Sequence, residues 1–102
     1  PHDPRCTISV AGAVNRPPFD ESAQGLALYE RARAIAREIG FDLPKQHRGG
    51  GSDGNFTAGM GVATLDGLGC VGAGAHAPYE HILWPSLAQR SRLILGLLET
   101  LH

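Results

Sequence analysis

Apolar positions recur along this chain at two periods. From Arg5 to Asn15, small or polar residues alternate with β-branched ones, and Ile8, Val10 and Val14 fall on one face at period two. That pattern predicts a half-buried strand. Arg16-Pro17-Pro18 ends it, because proline cannot donate to a ladder. The period then changes. Ser22 is placed to cap a helix running to about Ile39, with Leu28, Ala32, Ile35, Ala36 and Ile39 along one side and Arg31, Arg33, Arg37 and Glu38 on others. Gly40 stops that helix in the C′ position. Phe41 to Arg48 contains a proline and several polar residues, and forms at most a short edge strand. Val62 to Leu65 and Tyr79 to Leu83 read as short strands, with Asp66-Gly67 as a turn. Pro85 opens a last helix whose Leu87, Ile94, Leu97, Leu98 and Leu101 are expected to face inward. No internal repeat is present.

A chain of 102 residues holds one small domain. With 42% hydrophobic and 19% charged residues it has a globular composition. Nine Lys+Arg against ten Asp+Glu leave a net charge of −1, so nothing draws it to nucleic acid or to a membrane surface. Gly96 interrupts the apolar run of the last helix, which falls far short of the ~20 residues a bilayer span needs. The first residues show no basic-then-apolar signal pattern. Cys6 and Cys70 are too few for a disulfide scaffold and too distant for a CxxC motif. A reduced, cytoplasmic setting is expected, a single bridge being the alternative.

Glycine changes this picture. There are 14, about twice the ordinary ~7% share, and ten lie between Gly49 and Gly74. Such density suits backbone that turns sharply or approaches another group closely. Two stretches, Gly49 to Gly54 and Gly67 to Gly72, match G-x-G-x-x-G by letter. Neither follows a buried strand and opens a helix, which dinucleotide binding requires. No Gly-Lys-Ser/Thr follows for a P-loop. His76 to His81 is one residue too long for H-x-x-E-H, and Pro78 opposes a helix there. His81 therefore reads as an ordinary histidine. His76 lies among small residues that leave its imidazole accessible. On local grounds alone a lone histidine of this kind is more often structural than a ligand. Arg16 is held extended by the following proline, and its bland role is a surface ion pair.

Taken in order, Asn15-Arg16-Pro17-Pro18, then Arg48 to Asn55, then Thr64 to Gly69, then Gly72 to His76 with Glu80, form a set. This set resembles the C-terminal signature of the di-zinc metallopeptidases that include glutamate carboxypeptidase, acetylornithine deacetylase, succinyl-diaminopimelate desuccinylase and the aminoacylases. The resemblance implies an α/β fold. Residues 1–16 would be the last strand of an inserted lid domain, and residues 17–102 the C-terminal part of the catalytic domain, two helices on a few short strands. It implies that the chain is about a quarter of a longer, homodimeric enzyme. The other metal ligands and the general base would lie outside it, so no catalytic residue is expected here.

Carried over by position, His76 corresponds to the C-terminal zinc ligand. Arg16 corresponds to the arginine that clamps the substrate carboxylate, and Gly51 to the glycine whose N–H helps hold it. Ser52, Asp53 and Asn55 shape the loop, and Glu80 supports the metal loop without ligating. A guanidinium grips a carboxylate through two parallel hydrogen bonds, which lysine cannot copy. Two zinc ions, or other divalent metals, would polarise an amide carbonyl and activate water, with a carboxylate as proton shuttle. The implied substrate is a small N-acyl amino acid or peptide bearing a free carboxylate, cleaved by a carboxypeptidase or N-acyl-amino-acid deacylase. Gly54, Cys70, Ala77 and Tyr79 depart from the usual pattern, which blurs the substrate. The isolated chain is expected to be inactive, and to expose apolar surface that promotes self-association. The alternative is a non-catalytic remnant serving assembly or weak carboxylate binding.

Overall fold

A computed structural model describes residues 2–101. Helix α1 spans Ala23–Ile39. Its start is fixed locally, since the Ser22 hydroxyl accepts a hydrogen bond from the Gly25 N–H at 3.0 Å. Its end is equally local. Gly40 takes the left-handed conformation, φ 111°, and donates to the Ala36 carbonyl. Helix α2, Gly54–Gly59, is a short turn inside the glycine-rich stretch, where no helix was expected. Strands β1, Gly72–Ala73, and β2, His81–Ile82, form an antiparallel pair with Gly72 opposite Ile82 and Ala73 opposite His81. Helix α3, Pro85–Thr100, opens on its proline.

The core is where α1 crosses α3. Ala32, Ala36, Leu43, Leu93 and Leu97 are buried, flanked by Leu28, Ile35, Ile39 and Phe41. Small residues let the helices approach: a Cβ on Gly96 would stand 2.8 Å from Ile35 Cγ2. Leu43 arrives from an irregular segment, anchored by the Tyr29 hydroxyl, which donates to the Leu43 carbonyl at 2.7 Å. Among the described residues Ser86 is the buried polar one, and it is satisfied. Its hydroxyl donates to the Leu83 carbonyl at 2.6 Å and accepts from the Val71 N–H at 3.0 Å, tying α3 to the hairpin.

The expected strands mostly fail to form. Residues 5–15 and 62–65 are irregular, and Tyr79 to Leu83 contracts to two residues. A strand exists only through its ladder, and among the described residues 42–50 and 63–69 exchange no main-chain hydrogen bonds with other segments. Val10 and Val14 are exposed, where a half-buried face was expected. The inward face of α3 is corrected as well. Of the five residues expected inside, Leu97 alone is buried, Leu98 is 72% exposed, and Leu93 takes the central place. The reason is that α3 leans on one neighbour, so a narrow i, i+4 stripe is covered. The result is mixed α and β content with a thin core. The accessible area is 8159 Å², against roughly 5,500 Å² for a compact monomer of this size. The radius of gyration is 18.5 Å, where about 13 Å is usual. No helix among the described residues is long and apolar enough to cross a membrane. Cys6 and Cys70 are free.

Candidate carboxylate site and histidine loop

The glycine-rich segment turns into α2 through its own side chains. The Asn55 amide oxygen accepts from the Ser52 N–H at 3.0 Å, and the Ser52 hydroxyl accepts from the Gly54 N–H at 3.1 Å. Asp53 precedes the helix without a capping hydrogen bond from its side chain. Gly54 sits in a tight place. A Cβ there would lie 3.0 Å from the Phe19 ring and 3.3 Å from Thr64 Cγ2.

This turn carries Arg16. The Asn55 side-chain N–H donates to the Pro17 carbonyl at 2.9 Å. Gly59 lies against the Pro17 ring, where an added Cβ would come within 2.5 Å. With the main chain pinned there, the Arg16 guanidinium lies 4.9 Å from the centre of the Phe56 ring. Its other neighbour is Gly51, where a Cβ would stand 3.1 Å from Arg16 Cδ and 3.5 Å from Nη1. Gly51 does not have the left-handed backbone that demands glycine, so the missing side chain serves space. Among the described residues Arg16 forms no salt bridge, which leaves its N–H fork unclaimed. A guanidinium with free donors beside an open main chain is suited to gripping a carboxylate.

Gly51, Ser52 and Asn55 also border a cavity of about 1100 Å³ that runs past Leu65 and Cys70. Lys45 and Glu21 also line it, and Lys45 donates to Glu21 at 2.5 Å. The hydrogen bond from Lys45 holds the Glu21 carboxyl below its ordinary pKa, and the same bond raises that of Lys45.

His76 stands on a different element, the loop joining β1 to β2. It is exposed and left-handed, φ 65°, a conformation histidine visits more readily than most residues. The loop is tightened by the Ala77 N–H donating to the Gly74 carbonyl and the Glu80 N–H to the Ala77 carbonyl. Glu80 is exposed on this loop. Zinc ordinarily takes four ligands. Among the described residues, no three of His, Cys, Asp and Glu are grouped to hold a metal ion. His76 can offer one donor, and these residues do not complete a metal centre.

Arg16, Gly51, Ser52 and Asn55 are thus brought together, while Asp53 takes no part in their hydrogen bonds. Phe56 was not anticipated, and Pro17 was read as the residue that holds Arg16 extended. A start signal at Asp53 was present, but Gly54 and Gly59 obscured the helix that places Phe56 under Arg16.

The sequence profile of peptidase family M20/M25/M40 matches residues 6–100, which include all of these positions. No curated protein and no solved structure matches the chain.

Proposed function

Because the chain belongs to peptidase family M20/M25/M40, we propose that it is the C-terminal part of a zinc-dependent hydrolase that cleaves an amide bond beside a free carboxylate. Membership itself implies a peptidase or related hydrolase acting on peptide-like substrates. The finer reading, a carboxypeptidase or N-acyl-amino-acid deacylase, is supported by one observation: the unclaimed Arg16 guanidinium lies against the bare main chain of Gly51. Two parallel charge-assisted hydrogen bonds from that fork would fix the carboxylate, and so the register of the neighbouring amide.

Residues 1–16 are proposed as the end of a lid domain and 17–102 as part of the catalytic domain. His76 is proposed as one metal ligand of the whole enzyme, the remaining ligands and the proton shuttle coming from elsewhere. One imidazole does not hold a zinc pair, so the 102-residue chain binds carboxylates weakly and turns nothing over.

Calorimetric titration of the chain with N-acetyl-L-glutamate tests this. Millimolar binding that disappears in Arg16→Ala is expected. Equal titration of the two proteins would remove the carboxylate reading. Zinc-stimulated hydrolysis by the isolated chain, lost in His76→Ala, would overturn its inactivity.

A further inference from the structure

Phe56 is 39% exposed on a six-residue helix and does not belong to the core around Leu93. The ring is therefore covered from outside that core. Its face is occupied by the Arg16 guanidinium, 4.9 Å from the ring centre. The helix that carries Phe56 is bound twice more to the Arg16 segment, through Asn55 to the Pro17 carbonyl and through Gly59 to the Pro17 ring. We infer that Phe56 is the positioning residue of the carboxylate site, a platform that fixes the plane of the Arg16 guanidinium beside Gly51. This inference rests on the proposed carboxylate reading and deepens it.

The physical argument concerns geometry. An arginine side chain at the surface samples many rotamers, and ordering it opposes binding. Stacking uses the flat face of the guanidinium and leaves its N–H donors, which lie in the plane, directed outward. The guanidinium carbon lies over the Phe56 ring, and the absent side chain of Gly51 leaves room for Cδ and Nη1. The fork is therefore oriented before any carboxylate arrives. Lysine at position 16 would lack both the flat face and the fork, so Arg16→Lys is not expected to preserve the site.

The experiment combines two readouts on the 102-residue chain, with N-acetyl-L-glutamate as probe. In the free protein, the Arg16 Cδ and Nε protons should be displaced upfield by the Phe56 ring current. That displacement should vanish in Phe56→Leu and persist in Phe56→Tyr. In titrations, Phe56→Leu should weaken binding about two- to fivefold, and Phe56→Tyr should restore it. Circular dichroism verifies that the variants keep the helices. Should Phe56→Leu unfold, restricted motion of the wild-type Arg16 Nε–H, against free motion in unbound arginine, carries the test. If Arg16→Ala abolishes binding while a folded Phe56→Leu leaves affinity and proton shifts unchanged, the inference fails and the carboxylate reading stands. If Arg16→Ala leaves binding intact, both fail.

Discussion

Gly51→Ala separates the site from the fold. The backbone of Gly51 lies outside the left-handed region, so alanine brings no conformational strain. What it adds is a methyl group 3.1 Å from Arg16 Cδ, 3.5 Å from Nη1 and 3.6 Å from Nε. The Cδ contact is too close to persist, whereas those to Nη1 and Nε are ordinary van der Waals contacts, so the stem of Arg16 must shift. Arg16 is exposed and attached by a flexible stem, so it moves aside, and stability should change by no more than about 1 kcal/mol, the attraction given up at the Phe56 ring. The guanidinium then leaves the Phe56 ring, losing roughly 0.5–1 kcal/mol of cation–π attraction. A carboxylate ligand further loses charge-assisted hydrogen bonds worth about 1.5–3 kcal/mol. At about 1.4 kcal/mol per decade, carboxylate binding should weaken at least tenfold. Gly50→Ala is the control, because a Cβ there meets nothing within 4 Å. Titration with N-acetyl-L-glutamate and thermal melting of both variants make the comparison. Binding by Gly51→Ala within twofold of wild type would refute the reasoning, as would an equal loss in Gly50→Ala.

Gly72→Ala acts on the histidine loop instead. Its Cβ would fall on the His81 carbonyl, a main-chain atom that cannot step aside, so the β1–β2 pair should open at a cost of roughly 1–3 kcal/mol. Faster hydrogen exchange at the Leu83 N–H, which donates to the Val71 carbonyl, would report it, and unchanged protection would contradict it. Leu93→Ala empties the centre of the α1–α3 contact and should cost about 2–5 kcal/mol. Leu98→Ala, on the open face, should stay within about 0.5 kcal/mol, and equal melting losses would show the assigned face of α3 to be wrong. The Glu21–Lys45 bridge sets a pH window. Because the Glu21 pKa is lowered on folding, its contribution is present above the unfolded-state pKa and is lost as pH falls through the folded one. Because that of Lys45 is raised, its contribution is present below the unfolded-state pKa and is lost as pH rises through the folded one. The carboxyl ¹³C titration of Glu21 should move to higher pH in Lys45→Met, and an unmoved midpoint would disprove the coupling.

Family membership was legible in the spaced motifs around Arg16, Gly51 and His76, and the matching profile covers all three. The conformation of His76 was not. Glycines on the approach to the β-turn loop suggested a constrained chain, but a left-handed histidine depends on the hydrogen bonds that close residues 74–80. The same holds for the arginine platform. Nothing local relates Phe56 to Arg16, since their contact is made by a helix whose own glycines argue against it.

Helix α1 was determined by sequence alone, ends included, because a serine hydroxyl, a left-handed glycine and i→i+4 hydrogen bonds all act within a few residues. The proline start of α3 was determined in the same way. Tertiary structure alone decided which leucines of α3 are covered, because burial depends on how many neighbours a helix meets. It also decided which alternating segments became strands, because a ladder needs a second chain segment at hydrogen-bonding distance, and periodicity cannot supply one.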